Sequence, residues 1–80
     1  MSNNELEKLA IIRDRHLALV EAAPQPAEIL IFIEYTRRAG ADIRHTKARS
    51  HLNTMLRHWA YSIYRQTGTF PETMLEPARC

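Results

Sequence analysis

Residues 46–66 read TKARSHLNTMLRHWAYSIYRQ, and the spacing within this stretch decides the fold. Ala48, Leu52, Met55, Leu56, Trp59 and Ile63 recur at intervals of three and four, which lines them along one side of an α-helix. The remaining faces carry Lys47, Arg49, Arg57, His58 and Arg65, and the stretch holds no Asp or Glu. One helix therefore states both a core-facing stripe and a cationic outside. Thr46 is expected to cap it. Gly68, just past its end, is expected to stop it, because glycine enters the left-handed conformation at no steric cost.

Working back from this helix, residues 27–38 read AEILIFIEYTRR. As a helix, they place Ile29, Phe32, Ile33 and Thr36 on one face and Ile31 and Tyr35 on another. The run is also rich in β-branched and aromatic residues, so a strand is the competing reading. No second segment offers itself as a partner strand, and a lone strand would leave its backbone groups unpaired. Helix is preferred, starting at Pro26, which suits a first helical position, and ending at Gly40. Residues 41–45 connect to the third helix, with Ile43 expected to pack inward.

The first helix is expected over residues 4–23, with Asn3 or Asn4 as cap and Glu5 and Glu7 in the first turn, where the helix dipole favours anions. Leu6, Leu9, Ile12, His16, Leu19, Val20 and Ala23 share one side. Pro24-Gln25-Pro26 ends it, since proline supplies no amide donor and restricts its predecessor. Together these elements predict an all-α fold: a single domain over residues 1–80, built as a small three-helix bundle. Its helices span about 4–23, 27–39 and 46–66, the third being the longest, and an ordered C-terminal tail follows over 67–80. Phe70, Met74 and Leu75 are expected to fold back over the helices. The predicted core is Leu9, Ile12, Leu19, Val20, Phe32, Ile33, Leu52, Met55, Leu56, Trp59 and Ile63, with Trp59 as its anchor.

Composition narrows the function classes. Eighty residues with 45% hydrophobic content suit one domain near the lower limit for a self-sufficient core. The lone Cys80 has no intramolecular partner, so no disulfide framework is expected and a reducing, cytoplasmic setting fits best. Residues 1–9 lack the basic and apolar regions of a signal peptide. The longest apolar run, Ile29 to Ile33, is too short to span a bilayer, so no membrane partner is expected. Charge is uneven. Residues 1–36 set Glu5, Glu7, Asp14, Glu21, Glu28 and Glu34 against Lys8, Arg13 and Arg15. Residues 37–71 set Arg37, Arg38, Arg44, Lys47, Arg49, Arg57 and Arg65 against Asp42 alone. Such asymmetry points to an anionic partner, or to acidic and basic halves that neutralise each other by packing.

Catalytic and cofactor patterns are absent. No HExxH, CxxC or paired-ligand spacing occurs, and His51 and His58, two helical turns apart, are too distant to chelate one ion together. Ser50 and Ser62 have histidines nearby in sequence, but no strand-turn-helix elbow presents either serine. Gly40 and Gly68 are the only glycines, so no phosphate-cradling loop exists. The expectation is a non-enzyme with no cofactor, no metal and no small-molecule substrate. His16, amid the apolar side of the first helix, is expected to be a hydrogen-bonded core histidine that makes the fold acid-sensitive.

Two surfaces remain as candidate binding sites. Lys47, Arg57, His58, Tyr61 and Arg65 form the cationic outer face of the third helix, fit for phosphates or a partner's carboxylates. On the second helix, Ile31 and Tyr35 are left near the surface and rimmed by Arg37 and Arg38, the pattern of a protein interface, in its simplest version one between copies of the chain. The function expected is a protein–protein interaction or adaptor module that can self-associate into a homo-oligomer. The alternative is nucleic-acid binding by residues 37–65. A helix-turn-helix would pair the second and third helices, but the connector is longer than the usual turn and the recognition helix is short of Asn and Gln for base edges.

Residues 52–77, LNTMLRHWAYSIYRQTGTFPETMLEP, resemble a segment of the small helical modules near the N-termini of bacterial STAND-type, NACHT-like signalling proteins. The resembling residues are Leu52, Leu56, Trp59, Ala60, Ile63, Tyr64, Gly68, Pro71, Leu75 and Pro77, about a third of the chain and mostly helix-core and turn positions. The resemblance implies homotypic or adaptor contacts in bacterial signalling and maps no catalytic residue here. The chain departs from that context in carrying no ATPase core or repeats.

Overall fold

The computed structural model describes residues 3–71, which form three helices in sequence: α1 (Asn3–Ala22), α2 (Pro26–Ala39) and α3 (Thr46–Thr67). The all-α three-helix bundle with a longer third helix is thus the architecture, and α2 is helix rather than strand. No described helix is long and apolar enough to cross a membrane.

Helix ends follow local chemistry. α1 stops at Ala22. Ala23 takes a left-handed φ of 50° and Pro24, which is buried, supplies no further donor. At the start of α2 the Gln25 N–H donates to Glu28 Oε1 at 3.0 Å, while Pro26 occupies the first turn, where its missing N–H leaves no bond unmade. α2 closes at Gly40, whose N–H donates to the Thr36 carbonyl at 2.8 Å. Its φ of −94° is open to any residue, so glycine is needed there for space. A Cβ would stand 2.6 Å from Leu52 Cδ2 and 2.9 Å from the Thr36 carbonyl oxygen. Gly68 has the other reason: its φ of 86° is the left-handed stop of α3. The cap of α3 corrects the sequence expectation. Thr46 is the first helical residue, and His45 is the capping position, offering its carbonyl to the Arg49 N–H at 2.8 Å.

The core gathers Leu9 and Ile12 from α1, Ile29, Phe32 and Ile33 from α2, Ile43 from the connector, and Ala48, Leu52, Met55, Leu56, Trp59 and Ile63 from α3. Leu19 packs against it, half-buried. Val20 does not belong to it: 47% of its surface is exposed, as is the same fraction of Leu6. The contact line of α1 runs through Leu9, Ile12, His16 and Leu19. Val20, a further 100° around the helix, falls beyond its edge.

Polar bonds fix α1 against the rest. Trp59 Nε1 donates to His16 Nδ1 at 2.9 Å, so His16 has the hydrogen-bond partner expected, but it is half-buried and lies outside the buried core. The Arg44 and His45 N–H groups both donate to Glu5 Oε1, at 3.2 and 3.0 Å, and Lys8 pairs with Asp42 at 3.0 Å. The chain past Gly68 turns back so that Phe70 stacks on Tyr64, 4.5 Å between centroids, with its edge toward Tyr61. The expected packing of Met74 and Leu75, and the ordered tail beyond residue 71, lie outside the described residues.

Candidate interaction surface

α2 buries Ile29, Phe32, Ile33 and Thr36, so its other rows of residues face away from the bundle. Ile31 is 71% exposed, the most exposed large apolar side chain among the described residues, and Leu30 is exposed beside it. Leu30, Ile31, Glu34, Tyr35, Arg38 and Ala39 line one shallow, open depression. Its lining is mostly apolar, and Glu34 and Arg38 are its charged members. Arg38 Nε pairs with Glu34 Oε1 at 3.2 Å along the helix. The guanidinium of Arg15, reaching over from α1, lies 4.5 Å from the centroid of the half-buried Tyr35 ring. Of the residues singled out on this helix, Ile31, Tyr35 and Arg38 come together. Arg37, half-buried, lies on another side and does not line the depression.

Lys47, Arg57, His58, Tyr61 and Arg65 are all exposed on α3. From Lys47 to Arg65 the stripe runs about 27 Å at the helical rise per residue. It is not featureless. His58 stands edge-on to Trp59 at 4.8 Å and to His16 at 5.6 Å, and Tyr61 is in contact with Phe70. None of these five lines the depression on α2, so the two surfaces are separate.

A second open depression is lined by His16, His51, Thr54, Met55 and His58. Burial holds the imidazole of His16 below its ordinary pKa, and the neighbouring His58 and His51 push it further the same way. Among the described residues, no group of three or more His, Cys, Asp or Glu side chains is assembled to hold a metal ion.

Four contributors to the α2 surface escaped the sequence reading. Leu30, Glu34 and Ala39 were within its reach, because the i, i+4 rows through Ile31 and Tyr35 and through Arg38 contain them. Arg15 was not, since its position over Tyr35 depends on how α1 docks. No protein-family model, curated protein or solved structure matches this chain.

Proposed function

We propose that the chain is a non-enzymatic interaction module of the adaptor kind, which docks a protein through the outward face of α2. The observation that carries this reading is Ile31, 71% exposed in the lining of a mostly apolar depression that also includes Glu34 and Arg38. Apolar side chains desolvate on contact, while the charged Glu34 and Arg38 set orientation and exclude wrong partners. The resemblance of residues 52–77 to modules of STAND-type signalling proteins supports the same role and a bacterial, cytoplasmic signalling setting. The test is a photo-crosslinking phenylalanine placed at position 31 or, separately, at position 61 of the full chain in cells. The expected result is protein adducts from position 31 that excess wild-type chain competes away and excess Ile31→Glu chain does not. Adducts from position 61 to nucleic acid, with none from position 31, would overturn it.

A second reading is favoured by a different observation. The outer face of α3 exposes Lys47, Arg57, His58 and Arg65 with Tyr61 among them, and α3 contains no acidic residue. That face fits the phosphates of a nucleic acid. Phosphate contacts release counterions, so affinity for a labelled duplex or single strand should fall steeply between about 50 and 200 mM salt. It should also fall when Lys47, Arg57 and Arg65 are changed to Gln. Binding that ignores both changes removes this reading.

A further inference from the structure

The outer face of α3 carries more than charge. Around the helix Tyr61 lies opposite Leu52 of the core, and Tyr64 lies about 60° to one side of Tyr61. The left-handed turn at Gly68 brings Phe70 back onto both rings. Phe70 stacks on Tyr64 with 4.5 Å between centroids and 10° between planes, and meets Tyr61 edge-on at 5.3 Å. The turn is held at three points. The Gly68 N–H donates to the Tyr64 carbonyl at 2.7 Å, the Thr69 N–H donates to Thr67 Oγ1 at 3.3 Å, and Pro71 is buried. Even so, Tyr61, Tyr64 and Phe70 stay 51%, 44% and 38% exposed. Three adjoining rings left open to water form an apolar patch, and covering such a patch lowers the free energy.

We infer that this ring cluster is a stacking platform for the bases of a single-stranded nucleic acid, whose phosphates lie along the cations of α3. The inference rests on the reading of the α3 face as a phosphate-binding surface and names the form of nucleic acid it takes. Charge chooses the occupant. Arg57 stands about one turn before Tyr61 and Arg65 about one turn after it, roughly 40° to either side of its line. Both are exposed, and Lys47 lies in the row of Arg65 near the other end of the helix. The 22 residues of α3 include no acid to oppose a phosphate. A single strand supplies spaced phosphates and flat base faces in one chain, which matches cations set around rings. A duplex supplies only the phosphates, because its base faces are stacked inside, and α3 has few Asn or Gln to read base edges from a groove. Every base has a π-face, so the platform distinguishes single strand from duplex rather than one sequence from another. The turn at Gly68 sets the rings before the strand arrives, which lowers the ordering cost of binding.

The experiment is fluorescence anisotropy of the full chain with three labelled probes of equal length: oligothymidine, oligouridine and a DNA duplex. Both single strands should bind more tightly than the duplex, and the tighter of the two indicates whether DNA or RNA is the better fit. Tyr61→Ala and Tyr64→Ala should each weaken single-strand binding about tenfold. Tyr61→Phe and Tyr64→Phe keep a ring and should bind as wild type, which separates stacking from a hydrogen bond of the phenol. Arg57→Gln and Arg65→Gln should each weaken binding and reduce the salt slope by about one. Circular dichroism checks every variant for wild-type helicity. If the Arg variants weaken binding while the Tyr→Ala variants bind as wild type, the stacking platform is overturned and the phosphate-binding reading survives. Duplex bound as tightly as single strand also overturns the platform and leaves that reading in place. No binding of any probe overturns both and leaves the exposed rings to a protein partner. None of these outcomes touches the α2 face, which lies on a separate surface.

Discussion

α1 and α2 hold α3 by different means. α2, 14 residues long, buries Ile29, Phe32, Ile33 and Thr36, and its last turn comes so close to α3 that only glycine fits at position 40. α1 is six residues longer yet buries only Leu9 and Ile12. It makes up the difference with polar bonds: His16 to Trp59, Glu5 to the backbone of Arg44 and His45, and Lys8 to Asp42. An apolar seam depends on shape and is indifferent to pH, whereas a hydrogen-bonded seam depends on protonation and lies closer to water. The contacts of α1 are therefore the ones that respond to pH.

The largest effect should come from the residue that belongs to both seams. Trp59 touches Phe32 of α2 edge-to-face and bonds His16 of α1, and it is only 3% exposed. Trp59→Ala should cost about 3–5 kcal/mol, much of what so small a domain has. An unchanged denaturation midpoint would mean that neither seam is anchored there. Next in size, Gly40→Ala breaks the apolar seam alone. The added methyl meets Leu52 and the Thr36 carbonyl, and overpacking of this kind costs about 1–3 kcal/mol. Urea unfolding measures it, and a neutral result would show that the two helices can part without loss.

The polar seam is tested by acid. His16 accepts a hydrogen bond at Nδ1 and so is held neutral, and its folded-state pKa is depressed by burial and by His58 and His51. Nothing titratable on α2 touches it among the contacts described; Phe32 is the α2 ring nearest its own. The unfolded chain takes up the proton first as pH falls. The stabilisation is therefore complete above the ordinary histidine value near 6.5 and is lost as pH drops from there through the depressed folded value. Glu5 and Asp42 act in a lower window. Their carboxylates are held below the ordinary values of 4.5 and 3.8, Glu5 by the His45 N–H first and Asp42 by its bond to Lys8, so their share fails only in stronger acid. Thermal midpoints between pH 7.5 and 5 should therefore fall for the wild type and stay flatter for His16→Gln. Parallel curves would remove His16 as the cause.

The smallest expected effect has the opposite sign. Thr36 is fully buried and its hydroxyl has no hydrogen-bond partner. Thr36→Val keeps the shape and removes the unsatisfied group, so it should stabilise by about 1 kcal/mol. A loss of stability instead would show that the hydroxyl is satisfied in solution.

The two seams were not equally legible in the sequence. The α2–α3 contact could be read from periodicity, because apolar packing writes itself into spacing: Ile29, Phe32, Ile33 and Thr36 on one element, Leu52, Met55, Leu56, Trp59 and Ile63 on the other. The α1 contact could not. His16 and Trp59 are 43 positions apart, and Glu5 and His45 are 40 apart. A polar pair leaves no periodic trace, since either member alone reads as an ordinary surface or core residue. Val20 shows the same limit from the other side. Its place in an apolar row looked like burial, but α1 contributes too narrow a contact line to cover it. Of the candidate docking face, the centre at Ile31 and Tyr35 was legible as apolar residues left over once the core row was assigned. The cation that roofs Tyr35 was not.

By itself, the sequence determined the number and order of the helices, which side of α2 and α3 turns inward, where glycine and proline end each element, and the charge contrast between the halves. These are set by interactions within a few residues of each other, where rise, turn angle and backbone freedom leave few solutions. Only the tertiary structure decided that α1 docks through hydrogen bonds, that Arg15 lies over Tyr35, that position 40 must be glycine for space, and that the α2 face and the α3 cations are separate surfaces. Those outcomes depend on distances between residues remote in the chain, which arise only when the helices pack.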